Sequence, residues 1–137
     1  MSIFIDTGVL AAFHNASDEK NPEARSILSR VRQKQYATAF TSDYVIDECT
    51  TLIFSRTRNR KQSNLFLEQA LGSEELFTIL YTSGEDFSEA AKEYLRQSDL
   101  SFTDCSILAL MKSHGIKNIA TFDSGFKKIR GVNVIEK

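Results

Sequence analysis

The stretch from Ser101 to Phe126, SFTDCSILALMKSHGIKNIATFDSGF, reads as a helix, a tight turn and a strand, with one acid near the helix start and another past the strand end. Ser101 or Thr103 can cap the helix, and Asp104 falls in its first turn, where the dipole favours an anion. Ile107, Leu108 and Met111 follow Asp104 at helical spacing, which puts this carboxylate on the apolar, inward face. An acid on a core-facing stripe is costly unless something compensates it. Gly115 closes the helix as a residue at C′ should. Asn118 to Phe122 is then a short apolar run of strand type, and Asp123 follows at once. In open α/β sheets ligands bind at the carboxyl ends of strands, so this unit offers two inward acids at one rim.

The rest of the chain repeats that alternation. Ile3-Phe4-Ile5 is a short buried strand ending in Asp6, and the spacing predicts a short helix over Val9 to Phe13. Asn21-Pro22-Glu23 reads as a capped helix start with Ala24, Ile27, Leu28 and Val31 on one stripe. Tyr36 to Thr41 is predicted as a strand. Ser42 and Asp43 then open a helix whose inner face reads Tyr44, Val45, Glu48, Thr51 and Leu52. A helix with Leu65, Phe66, Ala70 and Leu71 stops at Gly72, and Leu76 to Tyr81 makes the next strand. Phe87, Ala90, Ala91, Tyr94 and Leu95 share one face of a further helix, and Val132 to Ile135 supplies the last strand. Strands alternating with helices imply a parallel sheet with right-handed crossovers and helices on both faces. Two of the strands end in aspartate, Asp6 and Asp123, and as neighbours they would meet in the crevice where the strand order reverses.

A length of 137 residues fits one domain, 1–137, with a real core. Seventeen basic against eighteen acidic residues give a net charge of −1, which excludes a protein that grips nucleic acid by bulk charge alone. A local basic surface offset by a local acidic pocket is compatible with it. No run is long enough to span a membrane and no secretion signal is visible, so a cytoplasmic protein is expected. Cys49 and Cys105 then read as reduced, buried thiols.

Four acids stand out by position: Asp6 and Asp123 at strand ends, Glu48 and Asp104 on inward helix faces. Crowded carboxylates repel, and some would hold protons at neutral pH. A hard divalent cation such as Mg²⁺ or Mn²⁺ relieves this, because it takes oxygen ligands and keeps several waters. Each acid has a plainer role to weigh. Asp104 could be only a helix-start acid, Asp6 a cap and Asp123 the start of an Asp-Ser-Gly turn, while Glu48 has Asp47 as a rival. Thr7, Thr103, Thr121 and Ser124 could orient ligand oxygens or touch a phosphate, or simply cap and turn. Lys127, Lys128 and Arg130 follow Asp123 closely enough to meet a phosphate. The Arg56 to Lys61 run could hold RNA backbone, but a charge run at a helix junction reads first as a solvated surface or a partner contact.

These motifs together resemble the PIN-domain family, and within it the ribonuclease toxins of VapC type. The likeness rests on Ile3-Phe4-Ile5-Asp6-Thr7-Gly8, Thr41-Ser42-Asp43-Tyr44-Val45-Ile46-Asp47-Glu48, Ser101-Phe102-Thr103-Asp104-Cys105 and Ala120-Thr121-Phe122-Asp123-Ser124-Gly125-Phe126. It implies a three-layer α/β/α fold around a five-stranded parallel sheet of order 3-2-1-4-5. It also implies a Mg²⁺- or Mn²⁺-dependent endoribonuclease, with Asp6, Glu48, Asp104 and Asp123 as catalytic metal ligands. Toxins of this kind usually form homodimers and are silenced by an antitoxin protein. Two alternatives are an RNA-processing PIN nuclease outside any toxin–antitoxin pair, and a non-catalytic PIN-like binding module.

Overall fold

The computed structural model describes residues 1–96 and 99–137. Five strands, β1 (Ile3–Ile5), β2 (Ala39–Ser42), β3 (Thr78–Leu80), β4 (Asn118–Ala120) and β5 (Asn133–Ile135), form one sheet of order β3-β2-β1-β4-β5. Every pairing is parallel. Helices α1 (Thr7–His14), α2 (Asn21–Arg32), α3 (Asp43–Thr57) and α4 (Arg60–Leu71) make the crossovers from β1 to β3. Helices α5 (Gly84–Arg96) and α6 (Phe102–Ser113) carry the chain back past β1 to β4. Right-handed crossovers in opposite directions place these two groups on opposite faces of the sheet, giving the expected three layers and strand order.

The core is the apolar content of β1 and β4 sealed from both sides. Ile3, Phe4, Ile5 and Ile119 are fully buried, as are Ile27, Val45, Ile107, Leu110 and Phe126 above and below them. Strands buried on both faces read as continuous apolar runs, which is why Ile3-Phe4-Ile5 lacks alternation. Gly115 ends α6 with φ +66°, a left-handed conformation that glycine adopts without steric cost.

Three local expectations are corrected. The strands are shorter than predicted, because the chain from Tyr36 to Thr38 bends before the ladder begins, although the Ile3 amide already donates to the Thr38 carbonyl. Lys20 occupies the N-cap position of helix α2 without a side-chain capping bond, and Asn21 is the first helical residue. The Asn21 side chain donates instead to the Ala12 and Phe13 carbonyls, at 2.8 and 3.3 Å, and ties the α1–α2 loop to the end of α1. The buried stripe of α3 is Val45, Ile46, Cys49 and Ile53, while Thr51 faces solvent and Glu48 is half-buried at the margin.

Among the described residues no helix is long and apolar enough to cross a membrane. Cys49 and Cys105 are buried free thiols. Burial pushes them up, to about 12 and about 11, which keeps both neutral.

Candidate active site

Register brings the site together. Ile5 pairs with Ala120, so the residues after them leave the sheet side by side. The Asp6 amide donates to the Ala120 carbonyl at 3.0 Å, and Thr121 Oγ1 donates to Asp6 Oδ2 at 2.7 Å. Asp6 is also the N-cap of α1, with Oδ1 accepting the Thr7 amide at 2.7 Å. The capping role weighed from the sequence is therefore real, and it fixes the carboxylate without consuming it, since each oxygen can accept further bonds.

Asp104 arrives from the opposite face. Ser101 and Asp104 form a capping box, in which Asp104 donates its amide to Ser101 Oγ at 3.1 Å and accepts the Ser101 amide on Oδ2 at 3.0 Å. Asp6 and Asp104 are only 5% and 8% exposed, an unusual degree of burial for carboxylates without a basic partner. Burial raises the Asp6 carboxyl to about 7; the Thr121 hydrogen bond opposes this, and the charges of Asp104 and then Glu48 add to it. Asp104 is also raised, by burial first, with Asp123 and Glu48 contributing. These mutual influences connect all four acids across one rim.

The acids are unequal. Glu48 is half-buried and Asp123 exposed. Asp123 caps the 3-10 turn Ser124–Lys128, with Oδ1 accepting the Gly125 amide at 2.8 Å, and its own amide donates to Thr121 Oγ1 at 3.0 Å. Thr121 thus links Asp6 to Asp123 through one hydroxyl. Gly125 is required by close approach: a Cβ there would stand 2.8 Å from Leu100 Cδ2 and 3.1 Å from Asp123 Oδ1. Among the described residues, no three His, Cys, Asp or Glu side chains are gathered closely enough to ligate one ion.

The remaining hydroxyls divide. Thr7 Oγ1, one residue from Asp6, is buried with no hydrogen-bond partner among the described residues, which is uncommon for a buried hydroxyl. Thr103 uses its carbonyl to accept Ser106 Oγ, and Ser124 is exposed. Lys127 pairs with Glu136 at 3.0 Å. The sequence reading passed over Lys20. Its ammonium lies 5.7 Å from the centroid of the Phe122 ring, a contact between segments far apart in the chain that no local pattern announces.

The donor chemistry fits a hard divalent ion. The acids are all oxygen donors, and burial first, with the neighbouring negative charges adding to it, disfavours the ionised form of both Asp6 and Asp104.

A three-layer domain with its acids at the carboxyl ends of β1 and β4 defines the class, and the PIN domain family model matches residues 3–132. The chain belongs to the PIN-domain family. It is 30% identical to the 23S rRNA-specific endonuclease VapC20 of Mycobacterium tuberculosis, over 96% of this chain and 97% of that protein. The crystal structure of Mycobacterium tuberculosis VapC20, a sarcin-ricin loop cleaving toxin, superposes with a TM-score of 0.76 at 24% identity, covering 91% of this chain and 92% of that one. A toxin–antitoxin complex from Klebsiella pneumoniae gives a TM-score of 0.66 at 18% identity, covering 98% of each chain.

Proposed function

We propose that this chain, acting as a single PIN domain over residues 1–137, is a divalent-metal-dependent endoribonuclease and the toxin of a type II toxin–antitoxin pair. The observation that carries the reading is the buried Asp6–Asp104 pair, each carboxyl raised by burial and by neighbouring negative charge. Such a pair is a liability to the fold and an asset to a cation site. Asp6 and Asp104 would hold the ion directly. Glu48 and Asp123 would act from the margins, directly or through water. Mg²⁺ or Mn²⁺, when bound, supplies the Lewis acidity that activates water and neutralises charge on the phosphate. The protein's part is to aim the carboxylates, through Thr121 on Asp6 and Ser101 on Asp104, while a nearby cation would favour the ionised form of Asp6 that burial disfavours. In this reading Thr7, Thr103 and Ser124 would orient water or phosphate oxygens, and Lys127 would meet a phosphate on release from Glu136.

The name of the 30% identical relative makes ribosomal RNA the first substrate to examine. An antitoxin is proposed by analogy with the toxin–antitoxin complex of the same fold. A homodimer is proposed from the α5 face, where Phe87, Tyr94 and Leu95 are exposed, Leu95 by 84%, and a cytoplasmic location is proposed by analogy with the toxin relatives. A cluster of exposed apolar side chains of this kind is a common sign of association.

Purified protein incubated with total bacterial RNA should cut at discrete sites in Mn²⁺, and EDTA should stop it. Uncut RNA in Mn²⁺ would leave the binding-module reading in its place. Parent-like cleavage by both Asp6→Asn and Asp104→Asn would show that the ligands are misassigned.

A further inference from the structure

We infer that Lys20, perched on the Phe122 ring, is a contact for a backbone phosphate of the RNA strand lying across the acidic rim. The inference rests on the nuclease reading above and adds a residue to its substrate path. Phe122 lies between Thr121, which holds Asp6, and Asp123, so its backbone belongs to the segment that carries the rim. The ring packs against the start of α1, where a Cβ on Gly8 would stand 3.8 Å from Phe122 Cδ2. Lys20 therefore sits over a ring that lies against the start of α1 and whose chain neighbours are Thr121 and Asp123.

The loop presenting Lys20 is pinned in place. Asp18 Oδ1 accepts the Lys20 amide at 2.8 Å, the Asp18 amide donates to the Asn15 carbonyl at 3.0 Å, and the buried Asn21 amide group donates to the Ala12 carbonyl. Among the described residues Lys20 makes no ion pair. The nearby carboxylate, Glu136, is taken by Lys127 at 3.0 Å and feels Lys20 only from farther out. Lys127 is thus neutralised at rest, whereas Lys20 faces an aromatic surface. A cation on a ring is partly desolvated and held in few rotamers, yet can still pair with a phosphate. That pairing offsets the repulsion an RNA backbone would meet from four acids. Phe122 is then a positioning residue for Lys20.

The experiment measures anisotropy of a fluorescent single-stranded RNA oligonucleotide of mixed sequence, in EDTA, on the full chain carrying Asp104→Asn. In that background Lys20→Ala should weaken binding several-fold and lower the slope of log affinity against log salt by about 0.7, one single-strand phosphate contact. Lys20→Arg should restore both. Phe122→Leu keeps apolar bulk but loses the ring, and should weaken binding about two- to fivefold. Melting curves on the same proteins identify any variant that fails to fold, and Lys20→Arg keeps the charge assignment testable in that case. An unchanged affinity and salt slope in Lys20→Ala would overturn the inference, as would no binding by the Asp104→Asn background. Cleavage of total bacterial RNA by the parent separates the two failures. A parent that cuts while Lys20→Ala binds normally sinks the Lys20 assignment alone, and a parent that leaves RNA uncut sinks the nuclease reading with it.

Discussion

The two ends of β1 and β4 bury polar groups in opposite ways. At the amino edge the polarity is neutral and closed: Asn118 Nδ2 donates to the Ser2 carbonyl at 2.8 Å, and its Oδ1 accepts Asn133 Nδ2 at 2.8 Å. At the carboxyl edge it is acidic and unbalanced, with Asp6 and Asp104 buried together and Thr7 Oγ1 left without a partner among the described residues. The same pair of strands therefore stabilises the fold at one end and strains it at the other. Natural domains tolerate this imbalance where a ligand will resolve it, and the edge that carries the cost is the edge to which function is assigned.

The largest expected effect removes charge from the strained edge. Asp6→Asn and Asp104→Asn should each abolish cleavage while raising the metal-free melting temperature, because one crowded carboxylate is gone. Added Mg²⁺ should stabilise the parent more than either variant, since only the intact site binds it fully. Metal-free melting points equal to or below the parent's in both variants would contradict the comparison.

The pH dependence follows from the same group. Asp6 titrates near 3.8 in the unfolded chain and at about 7 in the folded one, so between these values the folded state holds a proton that the unfolded state has released. The contribution is fully present below about 3.8 and is lost as pH rises through about 7, so metal-free stability should fall across that window. The magnitude is on the order of 4 kcal/mol for Asp6. Asp104 adds in the same direction. Urea denaturation in EDTA at several pH values reads the slope directly. Asp6→Asn should flatten most of it, and an equally steep decline in that variant would place the titration elsewhere.

At the closed edge, Asn118→Leu should act oppositely. It removes the partner of the half-buried Ser2 carbonyl, while the exposed Asn133 amide can turn to water, so the cost should be about 1 kcal/mol. Cleavage, measured well below the new melting point, should persist. Lost activity in a folded Asn118→Leu protein would mean that the two edges are coupled, and the contrast drawn between them would fail.

Which parts of this were legible in the sequence follows from the range of the forces involved. The strand end at Asp6, the Ser101–Asp104 start of α6 and the Gly115 stop are local signals, and the structure places them as read, whereas β4 ends at Ala120, short of the Asn118 to Phe122 run that was expected to lead straight into Asp123. The strand order was expected from the paired acids and the family likeness, and the parallel register confirms it. The inner face of α3 was misjudged because Tyr44, Glu48 and Thr51 also fit a helical period. Packing selected Val45, Ile46, Cys49 and Ile53 instead, a choice no single helix can announce. Asn21 read as a cap because asparagine favours that position, but the Ala12 carbonyl offered it a tertiary partner. Lys20 on Phe122 and Thr121 on Asp6 join residues roughly a hundred positions apart, beyond any spacing rule.

The finest probe of the contrast is the orphaned hydroxyl. Thr7 contributes to the fold through its amide, which caps onto Asp6 Oδ1, and through a side chain 5% exposed whose Oγ1 bonds to nothing in the described protein. Thr7→Val keeps the amide and nearly the shape while discarding the hydroxyl. A hydroxyl that served the fold would be missed by about 1 kcal/mol or more on removal. An unpartnered one should cost nothing, so the metal-free melting temperature of Thr7→Val should match the parent's or rise slightly. Cleavage should instead drop several-fold, because the oxygen beside Asp6 is then held for water or phosphate. Equal cleavage together with a lowered melting temperature would make Thr7 a structural residue after all, and would take the unpaired hydroxyl out of the functional account.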